Sequence, residues 1–329
     1  MSKPKVFVTR KIAKEALDMI ADVAEMEVWE DELPPPRDVL VNKVKDIEGL
    51  LSLLTEKVDA SLMDAAPRLR VVSNMAVGYE NIDVPAATSR GIVVANTPGV
   101  LTETTADFAF ALLLAAARRV VEADTYTRKG RWKTWGPMIL LGHDVHHATL
   151  GIVGFGRIGA AMAKRGKGFD MQVLYYDQVR RWQEEKELGV KYIPTLLELL
   201  SSSDFVTLHV PLAETYHLIG AAEFAAMKPT AILINTSRGP VVDQKALYQA
   251  LKSGQIFAAA LDVTEVEPIP PGDLLLTLDN VIIAPHIASA SVVTRTKMAT
   301  LAATNLIASL RGEIPPHCVN PEAVREKPR

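Results

Sequence analysis

From its first residues the chain alternates short β-branched and aliphatic runs with stretches of helical periodicity. "KVFVTR", "AEMEVW", "GLLSLL", "RVVSNMA" and "GIVVANT" have the apolar density of strands, "AKEALDMIADV", "VDASLMDAAP" and "DVPAATSRG" the spacing of helices between them, and "DELPPPR" is a turn. Strands alternating with helices in this way predict a parallel sheet joined by right-handed crossovers.

A second series begins at Ala148, where "ATLGIVGF", "QVLYYD", "FVTLHV", "AILINT", "AAALDV" and "NVIIAP" are six apolar runs separated by helical stretches. Six such strands make a complete dinucleotide-binding sheet. Between the two series, "LTETTADFAFALLLAAARRVVEADTYTRKG" reads as one long bridging helix over 101–130, opened by a Thr/Glu capping pattern and closed at Gly130. After Pro285 the pattern is helical through "SVVTRTKMATLAATNLIASLRG" and then extended through "EIPPHCVN", a tail with no domain of its own that is expected to return to the first domain. The predicted fold class is α/β, with two Rossmann-like, doubly wound parallel-sheet domains. Residues 101–285 form the nucleotide-binding domain, inserted into a first domain split between 1–100 and 286–329.

Composition agrees with this and narrows the function. The 329 residues suffice for two domains, each with its own core. The formal net charge of -3, from 36 basic and 39 acidic residues, offers no basic surface for nucleic acid or an anionic membrane. A single cysteine, Cys318, rules out an internal disulfide and a cysteine zinc cluster and fits a reducing compartment. "MSKPKVFVTRK" turns polar too early for a signal peptide, and "FAFALLLAAA" stops at Arg118 and Arg119, short of the roughly 20 residues of a membrane span. The expected location is the cytoplasm.

In "TLGIVGFGRIG", Gly154, Gly156 and Gly159 form a G-x-G-x-x-G directly after a predicted strand and at the head of a predicted helix. That setting turns a weak pattern into a dinucleotide fingerprint. The loop, including Phe155, Arg157 and Ile158, brings backbone close to a pyrophosphate whose charge is met by amides at the helix start. At the end of the next strand, Asp177 lies at about the 20-residue spacing of a ribose-binding acid. A carboxylate there repels a 2′-phosphate, which favours NAD(H) and leaves NADP possible. Arg180 and Arg181 could turn toward such a phosphate, or be two solvated charges at a helix start.

Three further side chains follow the last three strands: Arg238 in "NTSRGPVVD", Glu267 in "ALDVTEVEP" and His286 in "APHIASAS". Ligands of open parallel sheets gather at the carboxyl ends of strands. Hydride addition to a 2-keto acid explains the three types. The developing alkoxide needs a proton donor suited to histidine, a carboxylate orients the imidazole and favours its charged form, and the substrate carboxylate is matched by a planar guanidinium. Taken singly, each also has a plain structural reading as an ion pair or a loop residue.

These four blocks, in this order and at this spacing, resemble the signature blocks of the D-isomer-specific 2-hydroxyacid dehydrogenases. The likeness runs from "KVFVT" to "RGEIPPHCVN". It is closest to the glyoxylate reductase/hydroxypyruvate reductase branch, through "WKTWGPMILLGHDV", "LDVTEVEPIPPGDLLLTLDNVIIAPHI" and "LRGEIPP". The resemblance implies a flavodoxin-like substrate domain and makes Arg238, Glu267 and His286 the catalytic positions. It implies that Asp262 contacts the nicotinamide carboxamide and that Thr105, His209, Val210, Pro211, Thr236 and Ser237 line the cofactor. Val77 and Gly78, in "NMAVGYENID", resemble the loop whose amides share the substrate carboxylate with Arg238, and Leu54 lies near the same edge. Two departures stand out. Ala288 replaces the family's usual glycine after "HI", narrowing the space beside Ser289, a substrate position. Gln178 stands where some NADP-using relatives have arginine.

The implied activity is reduction of glyoxylate or hydroxypyruvate to glycolate or D-glycerate with NADH, in a homodimer whose Trp135 closes the neighbour's pocket. Trp132 and Trp135 read equally as core. His143, His146 and His147 lack the accompanying ligands of a metal site, so no metal is expected. His209, inside an apolar strand, reads as a contact residue rather than a chemical one. Rival readings are a D-lactate-type or phosphite-type dehydrogenase of the same family and an NAD(H)-sensing corepressor-like binding protein. The last is disfavoured because no partner-binding tail is evident, as phosphoglycerate dehydrogenase is by the lack of a regulatory extension.

Overall fold

In the computed structural model, which describes residues 3–325, the chain divides into two units, one made of residues up to Leu101 together with those from Ala290 onward, the other of Thr102–Ser289. In the first unit, β1 (Lys5–Val8), β2 (Glu25–Val28), β3 (Gly49–Ser52), β4 (Val71–Asn74) and β5 (Val93–Ala95) pair in parallel in the order β2-β1-β3-β4-β5. This is the flavodoxin-like order. Strands β3, β4 and β5 are buried throughout, because helices cover both faces of the sheet. On one face Ala16 and Ile20 of the helix Lys14–Val23, with Met298, Ala302 and Leu306 of the helix Val292–Leu310, pack against Val6, Val8, Leu51 and Val71. The opposite face seats Leu40, Leu62 and Ala87 of three short helices against Phe7, Leu50, Val72 and Val94.

The C-terminal segment is stitched to the edge strand β5. Cys318 forms an antiparallel bridge with Ala95, and the Val319 N–H donates to the Val94 carbonyl at 2.8 Å. Asn320, fully buried, accepts from the Val94 N–H (2.7 Å) and donates to the Ile92 carbonyl and the Thr88 hydroxyl (both 2.9 Å). One side chain thus satisfies the edge groups that would otherwise template another strand.

The second unit holds β6 (Thr149–Val153), β7 (Gln172–Tyr176), β8 (Lys191–Tyr192), β9 (Phe205–Leu208), β10 (Ile232–Asn235), β11 (Ala258–Leu261) and β12 (Val281–Ile283), all parallel in the order β12-β11-β10-β9-β6-β7-β8. Numbered within this unit, that is the dinucleotide-binding order with one strand added at the far edge. The sequence shows six strands and the structure seven. The extra one, β8, is two residues long and pairs only at Lys191 and Tyr192, too short to leave an apolar run.

The expected single helix over 101–130 is two, Thr102–Ala117 and Val120–Arg128, broken at Arg119 in the left-handed region with φ 52°. The cause is a later loop. His143 N–H donates to the Ala117 carbonyl at 2.9 Å, and Gly142 packs so closely that a Cβ there would overlap that same oxygen. The acceptor needed to continue the helix is taken. Beyond the second helix, Trp132, Trp135, Met138 and Leu141 are all exposed. No helix among the described residues is long and apolar enough to cross a membrane.

Asn320→Leu should destabilise the first unit by about 2–4 kcal/mol, because it strands the buried Val94 N–H of β5 and the buried Ile92 carbonyl just before it. Urea denaturation checks this; a loss under about 0.5 kcal/mol would mean the stitch contributes nothing.

Candidate functional site

The glycine loop leaves β6 and enters the helix Arg157–Gly168, and its three glycines meet three different constraints. Gly154 has φ 88°, and a Cβ on it would lie 2.5 Å from the His209 carbonyl oxygen, so the turn accepts only glycine. A Cβ on Gly159 would overlap the Gly154 carbonyl, which fixes the close approach of helix to turn. A Cβ on Gly156 would meet no protein atom within 4 Å; that open side is where a ligand backbone can come near. The first-turn amides of the helix have no intrahelical acceptors and face this end.

Asp177, at the end of β7, is tied to the same loop: it accepts from the Phe155 N–H at 2.7 Å and from the Val179 N–H at 3.1 Å. The Phe155 ring is buried and stacks on Tyr175 at 4.1 Å. Burial pushes the Tyr175 phenol up, and its oxygen accepts from the Arg181 N–H. Arg180 is engaged away from any ligand, donating twice to Glu185 (2.9 and 3.0 Å) and lying 3.4 Å over the Trp182 ring. Among the described residues the Arg181 side chain has no such partner. His209, after β9, has its Nε2 2.9 Å from the Thr207 hydroxyl, and desolvation lowers its pKa to about 3. Val210 and Pro211 follow it on the surface loop, and Thr105 is buried in the helix Thr102–Ala117.

The ends of β10, β11 and β12 are linked by hydrogen bonds. The buried Asn235 accepts from the N–H and the hydroxyl of Ser237 and donates to the Arg238 carbonyl at 2.9 Å, shaping the turn that carries Arg238. The Arg238 guanidinium donates to the Ser237 carbonyl at 2.8 Å. Gly239 is required because a Cβ would overlap the backbone of Thr264. The Thr236 hydroxyl is buried without a hydrogen-bond partner among the described residues, a polar atom that a ligand would satisfy.

His286 Nδ1 lies 2.7 Å from Glu267, whose other oxygen accepts from the Thr264 N–H at 3.2 Å. This leaves Nε2 as the ring atom able to exchange a proton with a ligand. His286 has φ 56°, and Asp262 holds it there. The His286 N–H donates to the Asp262 carbonyl at 2.9 Å, and the buried Asp262 carboxylate accepts from the Ile287 and Ala288 N–H groups at 2.7 and 2.8 Å. Desolvation pushes the Asp262 carboxyl up, and those two bonds pull against it. Ser289 ends this unit, half-buried. That Asp262 frames the histidine turn has no sequence signal beyond its place at a strand end.

In the first unit, Val77 and Gly78 lie on the loop after β4, and Leu54 is on the loop after β3. Sequence reading missed the side chains that brace these loops. Buried Glu56 accepts from the Leu53 N–H (2.7 Å) and the Thr9 hydroxyl (2.6 Å), Asn81 donates to the Leu53 and Glu56 carbonyls, and Asn74 donates to the Gly78 carbonyl at 3.0 Å. Trp135 is 79% exposed. Among the described residues His143, His146 and His147 belong to no group of three potential ligands, His146 having only Asp144 at 3.9 Å. The residues with ligand-like spacing are instead His217, Asp243 and Glu265. There the imidazole turns Nε2 to Glu265 (2.5 Å) and Nδ1 to Asp243 (3.9 Å), the geometry of a ring between two carboxylates rather than of one nitrogen offered to a metal.

Comparison with known proteins supplies the context. Residues 110–288 match the family model described as D-isomer specific 2-hydroxyacid dehydrogenase, NAD binding domain. A glyoxylate reductase of Korarchaeum cryptofilum is 62% identical over 328 residues, covering 99% of this chain and 98% of that one. A glyoxylate reductase of Thermococcus gammatolerans is 54% identical, again over 99% of this chain and 98% of that protein. The crystal structure of an NADPH-dependent glyoxylate/hydroxypyruvate reductase from Sinorhizobium meliloti, in complex with NADP and malonate, matches with a TM-score of 0.84 and 38% identity over 98% of each chain.

The glycine geometry separates two variants. Gly156→Val should fold with an unchanged Tm yet weaken dinucleotide binding by about tenfold or more, whereas Gly159→Ala should lower Tm through its clash, costing about 1–3 kcal/mol. Fluorescence titration with NADH and thermal melts read the two effects; equal NADH affinity in Gly156→Val would refute the assignment of that open side. His209 gives a pH signature. Its folded pKa, about 3, lies below the ordinary 6.5, so between these values the unfolded chain binds the extra proton. Its contribution is intact above pH 6.5 and is lost as pH falls toward 3. His209→Gln should therefore lose less stability than wild type between pH 7 and 5, by up to about 2 kcal/mol, in paired urea titrations.

Proposed function

The chain belongs to the D-isomer specific 2-hydroxyacid dehydrogenases, and from that membership we propose that it reduces glyoxylate, and hydroxypyruvate beside it, to glycolate and D-glycerate. The observation that carries the reading is the His286–Glu267 hydrogen bond of 2.7 Å, set at the strand ends of a sheet that also bears Arg238 and the glycine fingerprint. When bound, NADH supplies the hydride that C2 of the keto acid receives. The loop Gly154–Gly159 and its helix amides would hold the pyrophosphate, Asp177 the adenosine ribose, and Thr236, with its unpaired hydroxyl, the nicotinamide side.

The remaining steps belong to side chains. His286, oriented through Nδ1 by Glu267, delivers a proton from Nε2 to the oxygen forming at C2, so the alkoxide is neutralised as it develops. Glu267 balances the positive charge of the ring before that transfer. Arg238 offers a substrate carboxylate two parallel N–H donors, and the Val77 and Gly78 amides are the carboxylate donors of the first unit. NADH is preferred because Asp177 opposes a 2′-phosphate and Arg180 is engaged by Glu185; NADPH is the weaker cofactor. The exposed apolar run through Trp132, Trp135, Met138 and Leu141 supports a homodimer in which Trp135 reaches the partner's pocket, and the enzyme works in the cytoplasm.

A steady-state panel of glyoxylate, hydroxypyruvate, pyruvate and phosphohydroxypyruvate with each of NADH and NADPH tests the reading. Glyoxylate and hydroxypyruvate with NADH should show the highest kcat/KM; equal or better turnover of phosphohydroxypyruvate sinks the substrate assignment. His286→Ala should lower kcat by about a thousandfold or more and leave NADH affinity within about twofold.

A further inference from the structure

We propose that Asn96 is a positioning residue that aims the Val77 and Gly78 amides at the substrate carboxylate, an inference that rests on the function proposed above. Both peptides involved are trans, so each carbonyl and the N–H that follows it point in opposite directions. The Ala76 carbonyl is held by the Thr97 N–H at 2.8 Å, which turns the Val77 N–H the other way. The Val77 carbonyl is held by Asn96 Nδ2 at 2.7 Å, which does the same for the Gly78 N–H. Among the described residues neither N–H donates to another group. Two successive amides with their carbonyls tied back make a concavity for an anion.

Only one of these two ties is a side chain, and it is itself braced. The Asn96 N–H donates to the His317 carbonyl at 3.2 Å, and its carbonyl accepts from Asn305 Nδ2 at 2.9 Å. Asn305 is fully buried on the helix Val292–Leu310, and its oxygen accepts from the His317 N–H at 3.2 Å. The C-terminal helix and the segment after it therefore fix the backbone of Asn96, and Asn96 fixes the peptide plane. Without its amide the Val77–Gly78 peptide is free to rotate, and a rotated peptide presents a carbonyl oxygen to the anion instead of an N–H. Asn96 acts through the backbone and touches no reacting atom.

The test compares wild type with Asn96→Leu, of similar shape but without a donor, and Asn96→Asp, which also lacks the donor and serves if the leucine variant does not fold. Glyoxylate kinetics are paired with direct titration of oxalate, an irreducible carboxylate, onto the enzyme–NADH complex. The expected result is a rise of about tenfold in glyoxylate KM and in oxalate Kd, with kcat and NADH Kd within about twofold of wild type and Tm within about 4 °C of it. Unchanged KM and oxalate Kd overturn the proposal, and so does a parallel loss of NADH binding or of Tm, which would make Asn96 a general structural residue. Oxalate binding by a wild type that reduces no keto acid would refute the proposed function alone, and the oxalate Kd of the variants would still decide the role of Asn96. A wild type that binds no oxalate and reduces no keto acid overturns both.

Discussion

The grip of the Asp262 carboxylate on the two amides after His286 is the constraint on which the site depends. A non-glycine residue at φ 56° is held there at a cost of about 1–3 kcal/mol and persists only where its surroundings over-determine it. The two amide donors to Asp262, at 2.7 and 2.8 Å, and the His286 N–H to the Asp262 carbonyl supply that over-determination. The network continues backwards, because the Asp262 N–H donates to the Asn235 carbonyl at 2.8 Å and Asn235 in turn holds the Arg238 carbonyl. The chain positions that carry arginine and histidine are thus set by one continuous set of hydrogen bonds across three strand ends. A change at any of them is transmitted to the others as geometry.

Much of this was legible in the sequence, for definite reasons. A parallel sheet covered on both faces writes itself as continuous apolar runs, and ten of the twelve strands do so; β2 shows itself instead by the alternation of "AEMEVW". The glycine fingerprint was legible because three steric constraints at fixed spacing admit only one residue type. What escaped was decided by distant chain. The break at Arg119 comes from a carbonyl captured by His143, and the strand at Lys191 exists only because Leu174 and Tyr175 lie beside it. Neither leaves a local pattern. The three loop histidines drew attention by proximity in sequence, while the histidine in a carboxylate cluster was His217, assembled from three separate segments.

A second class of hidden residue is the buried asparagine. Asn74, Asn235, Asn305 and Asn320 are all fully enclosed, although a sequence reader assigns asparagine to exposed turns. An uncharged amide is at once donor and acceptor, so it can satisfy the backbone N–H and carbonyl groups left over where a strand ladder stops. Three of the four lie at or against a strand end: Asn74 ends β4, Asn235 ends β10, and Asn320 serves β5. The first two are carboxyl ends, where an open parallel sheet presents its ligands, while Asn320 serves the outer edge of β5.

The same accounting of polar atoms separates the two histidine–glutamate pairs of the Thr264–Glu267 loop. His217 contacts Glu265 through Nε2 and faces Asp243 through Nδ1, so both nitrogens are turned to carboxylates of its own chain. His286 spends Nδ1 on Glu267 and, among the described residues, offers Nε2 to nothing. The two pairs are similarly part-exposed, with side chains between 28% and 38% accessible, and at that exposure each contributes only about 0–1 kcal/mol to folding. Stability therefore does not distinguish them, and neither does distance. The surroundings of the second nitrogen do: on His286 it faces no carboxylate among the described residues and can pass a proton to a bound ligand, whereas on His217 it faces Asp243 at 3.9 Å, so that ring lies between two acids and fastens the loop that carries Glu267.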